Sequence, residues 1–267
     1  MSKGLNLKGA VTVLTGAGSG IGRATAVAFA ERGASVVVSD VSEARVAEVV
    51  DQITGLGHPA IGLPADVTVE ADLLKLRDAA LERFDRIDVV MNNVGVIAMG
   101  APETLPDEAW TRTLDTNLLS IARSNRVFLP RLIAQGSGHV INTASASGLL
   151  TYGFDRLPYV ASKHAVVGLS EALAAYLGSK GIGVTCLCPS GVITNILEGI
   201  TVYGEATSTP RAPAHPLVSA EEVGRLTADA VEAGRFLVVT ASEVHDSLLE
   251  RATDIESYIQ ASIAAQS

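Results

Sequence analysis

The stretch LPYVASKHAVVGL, Leu157 to Leu169, sets Tyr159 and Lys163 four residues apart among small and apolar side chains. On a helix this spacing stacks the phenol and the ammonium on one face. A phenol with a pKa of about 10 is too weak a base to take a proton near neutrality, so proton transfer through Tyr159 requires a neighbour that stabilises the phenolate. A cation one helical turn away does this by Coulomb attraction. Polar pairs at this spacing also occur on ordinary helix surfaces, so the pair acquires meaning only from the residues around it.

A second cluster lies near the start of the chain. TGAGSGIGRAT places Gly16, Gly18, Gly20 and Gly22 between a short apolar run and a helix-like segment. Glycines let a backbone approach a pyrophosphate closely, and a helix start offers unpaired N–H groups and a positive dipole end. Asp40 closes the next apolar run, 24 residues after Gly16, where a carboxylate can accept hydrogen bonds from a ribose. The rival strand-turn-helix motif, GxxxxGK[ST], is absent because Arg23 follows Gly22, and this disfavours phosphoryl transfer. His58, His139, His164, His215 and His245 are scattered without ligand spacing, so no metal is expected. Cys186 and Cys188 share one face of an apolar run, a pattern of buried, reduced thiols rather than a CxxC redox pair.

Positioning these groups requires alternating strands and helices. Ala10–Thr15, Ser35–Asp40, Ala60–Pro64, Ile87–Asn93, His139–Ser145 and Ile182–Cys188 read as strands. Helical patterns separate them at Ile21–Arg32, Glu43–Thr54, Glu70–Phe84, Trp110–Gln135 and from Leu157. The strands are apolar almost throughout instead of alternating, as a parallel sheet covered on both faces requires. The expected fold is α/β, a single doubly wound Rossmann-type domain over residues 1–267, with a central parallel sheet flanked by helices. Gly33, Gly57, Gly136 and Gly181 stand where helices should stop, in left-handed caps. The least regular stretch, with three prolines between Asn195 and Pro216, marks a substrate-loop region at about 195–218. Its Ile196, Leu197, Ile200, Val202 and Tyr203, with Tyr152 and Phe154, are suited either to lining an apolar pocket or to packing a lid.

Bulk properties narrow the function classes. A 267-residue chain that is 48% hydrophobic can bury a full core. A net charge of -9 without any basic block argues against nucleic acid or an anionic membrane as partner and leaves a small molecule. No signal-type leader and no apolar run of membrane-spanning length is visible, so the expected setting is soluble, reducing and cytoplasmic.

Taken in order, Thr15–Gly22 as TGxxxGxG, NNVG at Asn92–Gly95, Asn117, Ser145 and Tyr159-x-x-x-Lys163 resemble the short-chain dehydrogenase/reductases from about residue 8 to residue 194. The resemblance implies an NAD-dependent oxidoreductase that interconverts a secondary alcohol, apolar in character, and a ketone. It makes Tyr159 the general acid/base and Lys163 its tuner and a ligand of the nicotinamide ribose. Ser145 becomes the donor to the substrate oxygen, with Ser147 as rival, and Asn117 supports a water relay. The implied cofactor-binding residues are Gly16, Ser19, Gly20, Ile21, Gly22, Asp40, Asp66, Val67, Asn93, Gly95, Tyr159, Lys163, Pro189, Val192 and Thr194. In this family an acid at the position of Asp40 favours NAD over NADP. CPSGVIT carries Ser190 where the family usually has glycine, and the Ser145–Tyr159 segment is a residue or two longer than usual. A homotetramer is also implied, with Trp110–Gln135 and the opening Tyr159 helix at its interfaces. The alternatives are an NADP(H)-dependent ketoreductase of the acyl-carrier type and a cofactor-binding regulatory protein without turnover.

Overall fold

The computed structural model describes residues 4–151, 153–193, 199–204 and 217–264. The chain begins with β1 (Val11–Leu14), α1 (Gly20–Glu31), β2 (Ser35–Asp40), α2 (Glu43–Gly55), β3 (Ala60–Pro64), α3 (Glu70–Phe84) and β4 (Val89–Asn92). It continues through β5 (Ile97–Met99), α4 (Asp107–Leu114), α5 (Ser120–Gln135), β6 (Gly138–Thr143), α6 (Leu157–Gly178) and β7 (Ile182–Cys188). The last part contains β8 (Val192–Ile193), β9 (Ile200–Val202), β10 (Val218–Ser219), α7 (Ala220–Ala233), β11 (Leu237–Val239), α8 (Glu243–Thr253) and α9 (Ile255–Ala264).

Among the described residues, seven strands form one sheet in the order β3-β2-β1-β4-β6-β7-β11, with every pairing parallel. This is the doubly wound Rossmann-type arrangement, and the chain changes direction between β1 and β4. Ligands of such sheets bind in the crevice that opens there, at the carboxyl ends of the strands.

The continuous apolarity of the strands has a direct structural use. Val36 and Val38 of β2, with Val89 and Met91 of β4, pack against α1, α2 and α7 on one face. Val37 and Val90, the residues between, pack against α3, α5 and α6 on the other. Each strand thus supplies two cores with alternate residues. Gly33, Gly57, Gly136 and Gly181 all have positive φ, as expected at helix stops.

The helix expected over Trp110–Gln135 begins earlier and is not uniform. α4 passes into α5 through a π-helical turn at Asp115–Leu119, which contains Asn117. Such one-turn expansions recur at functional sites because they redirect a side chain without ending the helix. β5 and β9 form a small parallel pair outside the main sheet, and β8 and β10 form another. Among the described residues no helix is long and apolar enough to cross a membrane.

Candidate active site

The turn after β1 is built for close approach. Gly16 and Gly20 have φ of +61° and +52°, values that favour glycine. A Cβ at Gly22 would lie 2.2 Å from the Gly16 carbonyl oxygen, and one at Gly18 would lie 2.8 Å from Asp40 Cγ. Ser19 is the N-cap of α1 and makes no side-chain capping bond, which leaves the first-turn N–H groups directed at the turn. Ile21 packs its side chain onto the core while its backbone stays in that first turn.

Around the cradle, Asp40 accepts backbone N–H groups from Gly18 at 3.3 Å and Ser42 at 3.0 Å, so its carboxylate faces the turn. Asn93 is committed to the architecture: its amide donates to the Gly16 carbonyl at 3.0 Å and its oxygen accepts from Thr143 Oγ1 at 3.2 Å. Asp66 caps its own turn by accepting from the Thr68 N–H and hydroxyl, next to the buried Val67. Small backbone, unpaired helix N–H groups and an adjacent carboxylate are what a dinucleotide needs, and these residues fit one.

The proton-handling residues meet beside this cradle. Tyr159 is 8% exposed and Lys163 3%, both on α6. Lys163 Nζ donates to the Thr143 carbonyl at 2.7 Å and lies 5.7 Å from the Tyr159 ring centroid. Gly95 borders it, since a Cβ there would stand in ordinary contact with Nζ at 3.4 Å. The Ser145 hydroxyl is a hydrogen-bond partner of the Tyr159 phenol and also accepts from the Ser147 N–H at 3.1 Å. Ser145, not Ser147, is therefore the serine whose side chain joins Tyr159. Asn117 spans to Val96, accepting its N–H at 2.8 Å and donating to its carbonyl at 3.0 Å. It also donates to Ser162 Oγ at 3.0 Å, and Ser162 in turn donates to the Tyr159 carbonyl. The side chain of Asn117 thus locks α6 to the segment after β4.

The electrostatics move the phenol and the ammonium in opposite directions. The Tyr159 phenol is pushed above its ordinary value, because burial outweighs the Ser145 hydrogen bond and the charge of Arg156, which both lower it. Lys163 points its ammonium at the Thr143 carbonyl, and the charge of Arg156 favours the phenolate. Burial also draws Lys163 down to about 8. A buried ammonium and a buried phenolate are both disfavoured by lost hydration, hence the opposite directions.

The nicotinamide-side turn follows β7. The Pro189 carbonyl accepts the Ala146 N–H at 2.8 Å, which joins this turn to the residue after Ser145. Val192 opens β8, whereas Thr194 lies outside the described residues, as do Tyr152, Ile196 and Leu197. Of the substrate loop, β9 runs beside β5 with Ile97 opposite Ile200 and Met99 opposite Val202. Cys186 and Cys188 are free and buried, with sulfurs 3.7 Å apart. Sequence reasoning passed over Arg156 and Thr143. Arg156 stands one turn before Tyr159, a readable spacing, but Thr143 acts through its carbonyl, which no residue type signals. A groove of about 810 Å³ lies elsewhere, between α1, α2 and α7. Its arginines are already paired, Arg23 with Glu48, Arg32 with Asp229 and Glu232, and Arg225 with Glu222.

Comparison with known proteins agrees with this geometry. Residues 10–202 match the family model described as short chain dehydrogenase. Cyclohexanol dehydrogenase of Acinetobacter sp. (strain SE19) is 35% identical over 85% of this chain and 89% of its own length. Cis-4-hydroxycyclohexanecarboxylate dehydrogenase of Sinomonas cyclohexanicum is 34% identical over 85% and 92%. A short-chain dehydrogenase/reductase of Burkholderia phymatum, solved in complex with NAD, superposes with a TM-score of 0.85 at 34% identity, covering 94% of this chain and 96% of that one. The chain belongs to the short-chain dehydrogenase family, enzymes that act on hydroxyl groups with a nicotinamide cofactor.

Proposed function

We propose that this enzyme oxidises an alicyclic secondary alcohol to its ketone, or catalyses the reverse, with NAD as cofactor and Tyr159 as general acid/base. The observation that carries the reading is the convergence of Tyr159, Ser145, Lys163 and Asn117 at the carboxyl edge of the sheet, beside the glycine cradle and Asp40. Two relatives named for cyclohexane-ring alcohols and the NAD complex of the Burkholderia protein support the choice of substrate and cofactor. Half-buried Val94 and Val96 add apolar side chains next to Gly95 and Asn117.

In this reading Ser145 donates to the substrate oxygen and holds it against the phenol, and its donor stabilises the negative charge that grows there. Tyr159 removes the hydroxyl proton as the carbinol C–H bond breaks. The nicotinamide, when bound, supplies the hydride acceptor and a positive charge. Lys163 keeps a proton it can lose near neutrality, the property that a relay from Tyr159 to solvent needs. Asn117 and Ser162 fix α6 so that phenol and ammonium keep their places. Gly16, Ser19, Gly20, Ile21 and Gly22 would hold the pyrophosphate, Asp40 the adenosine ribose, and Asp66 and Val67 the adenine. Asn93 and Gly95 would border the cofactor, and Pro189 and Val192 the carboxamide. The carboxylate of Asp40 would repel a 2'-phosphate. Arg45 favours the NADP alternative, because its Cβ lies 2.8 Å from where a Gly18 side chain would start.

The whole chain serves as one catalytic domain, working as a homotetramer in the cytoplasm. Spectrophotometric turnover of cyclohexanol and ring-substituted homologues with NAD and with NADP tests the reading. NAD is expected to give at least a tenfold higher kcat/KM, and equal turnover with NADP, or none with any cyclic alcohol, contradicts it.

A further inference from the structure

Ser190 stands where the resembled pattern has glycine, and the structure gives it a partner. Among the described residues only Asp85 combines a side chain with positive φ, so the backbone at Ser190 does not require glycine. The Ser190 N–H donates to Thr240 Oγ1 at 2.9 Å, and the two hydroxyl oxygens are 2.7 Å apart. Thr240 directly follows β11, and its neighbours Ala241 and Val244 are buried in the cluster that contains Leu149, Leu150, Cys186 and Cys188. The partner is therefore mounted on packed structure.

The same turn is fastened on either side. The Pro189 carbonyl accepts the Ala146 N–H at 2.8 Å, and the Gly191 carbonyl accepts the Val218 N–H at 3.0 Å. Between these two points the Thr240 bonds restrain the Ser190 peptide unit. These bonds tie the turn to the end of β11, two residues before Val192 enters its pairing with β10.

We infer that Thr240 is a positioning residue: through Ser190 it fixes the Pro189–Val192 backbone and thereby sets how tightly the nicotinamide end of the cofactor is held. The inference rests on the proposed reading that this turn meets the nicotinamide. It assigns a role in cofactor grip to a residue 50 positions away in sequence, at the root of the C-terminal helices α8 and α9.

The test compares dissociation constants for NADH, read from its own fluorescence, and for ADP-ribose, which has the adenosine and pyrophosphate but no nicotinamide. Thr240→Val removes both bonds to Ser190 with little change of shape. It should weaken NADH about tenfold, from two hydrogen bonds of ordinary strength, and leave ADP-ribose unchanged. Thr240→Ser should restore NADH binding. Ser190→Ala, which keeps the backbone bond, should weaken NADH about two- to fivefold and again spare ADP-ribose. Equal weakening of both ligands, or a lowered Tm with no change for either, would show Thr240 to be a structural residue and overturn the inference. Wild-type enzyme that binds ADP-ribose but gains nothing from the nicotinamide would overturn the reading beneath it.

Discussion

At the scale of single residues, the protein places the proposed proton acceptor, Tyr159, in an environment that resists ionisation. Burial raises the Tyr159 phenol, and the Ser145 hydrogen bond and Arg156 work against that burial. Alcohol oxidation needs the phenolate, so kcat/KM should climb with pH through the alkaline limb on which Tyr159 loses its proton. Arg156→Gln removes a cation that favours the phenolate and releases the Asp155 carboxylate, its partner at 2.8 Å. Both changes disfavour a second negative charge, and the limb in a pH–rate profile should move upward; an unmoved limb would show that Arg156 has no influence on the phenol. Tyr159, Lys163, Ser145 and Asn117 were singled out in the sequence by their order and by the family pattern they resemble, and the structure brings them to one end of the sheet. The direction of the Lys163 side chain was not legible there, since it depends on where β6 places the Thr143 carbonyl.

At the scale of elements, the cradle works because α1 starts where no side chain can stand. A methyl group at Gly22 would meet the Gly16 carbonyl oxygen at 2.2 Å and, at 2.7 Å, the amide of Asn93 that is bonded to it. Gly22→Ala should therefore lower folding stability by about 1–3 kcal/mol through overpacking and weaken NADH binding, as chemical denaturation and fluorescence titration would show. Unchanged values of both would mean that the turn yields freely. The sheet strands through β7 and the helices between them could be read from periodicity, as with Ala60–Pro64 and Glu70–Phe84, which match the structure end to end. Strands of two or three residues, β5 and β8 to β11, are too short to carry a period. Helix α7 did carry a readable start, because Ser219 caps it by accepting the Glu222 N–H at 3.1 Å in a Ser-x-x-Glu pattern. The π-helical turn at Asn117 had no such sign, as it arises from side-chain bonds to Val96 across the fold.

For the whole molecule, stability should depend on a buried group far from the proton chemistry. His139 Nε2 donates to Thr185 Oγ1 at 2.8 Å, because that hydroxyl already donates to the Arg235 carbonyl, and Nδ1 has no hydrogen-bond partner among the described residues. Burial lowers its pKa from 6.5 to about 4. The unfolded chain therefore binds the proton first as pH falls, and stability that is complete above pH 6.5 is lost progressively down to about pH 4. The loss attributable to this site is about 3 kcal/mol. It should appear in urea denaturation across that range and disappear in His139→Gln, which keeps a donor but does not titrate; an identical pH slope in that variant would assign the loss to other groups. The most direct test of the account as a whole is Tyr159→Phe, assayed for NAD-linked oxidation of a cyclic secondary alcohol together with NADH binding. Turnover should fall by at least about a hundredfold, the weight of general acid–base catalysis, while NADH binding stays within about twofold. Oxidation at the wild-type rate with cofactor still bound would contradict the assignment of Tyr159 as the proton acceptor.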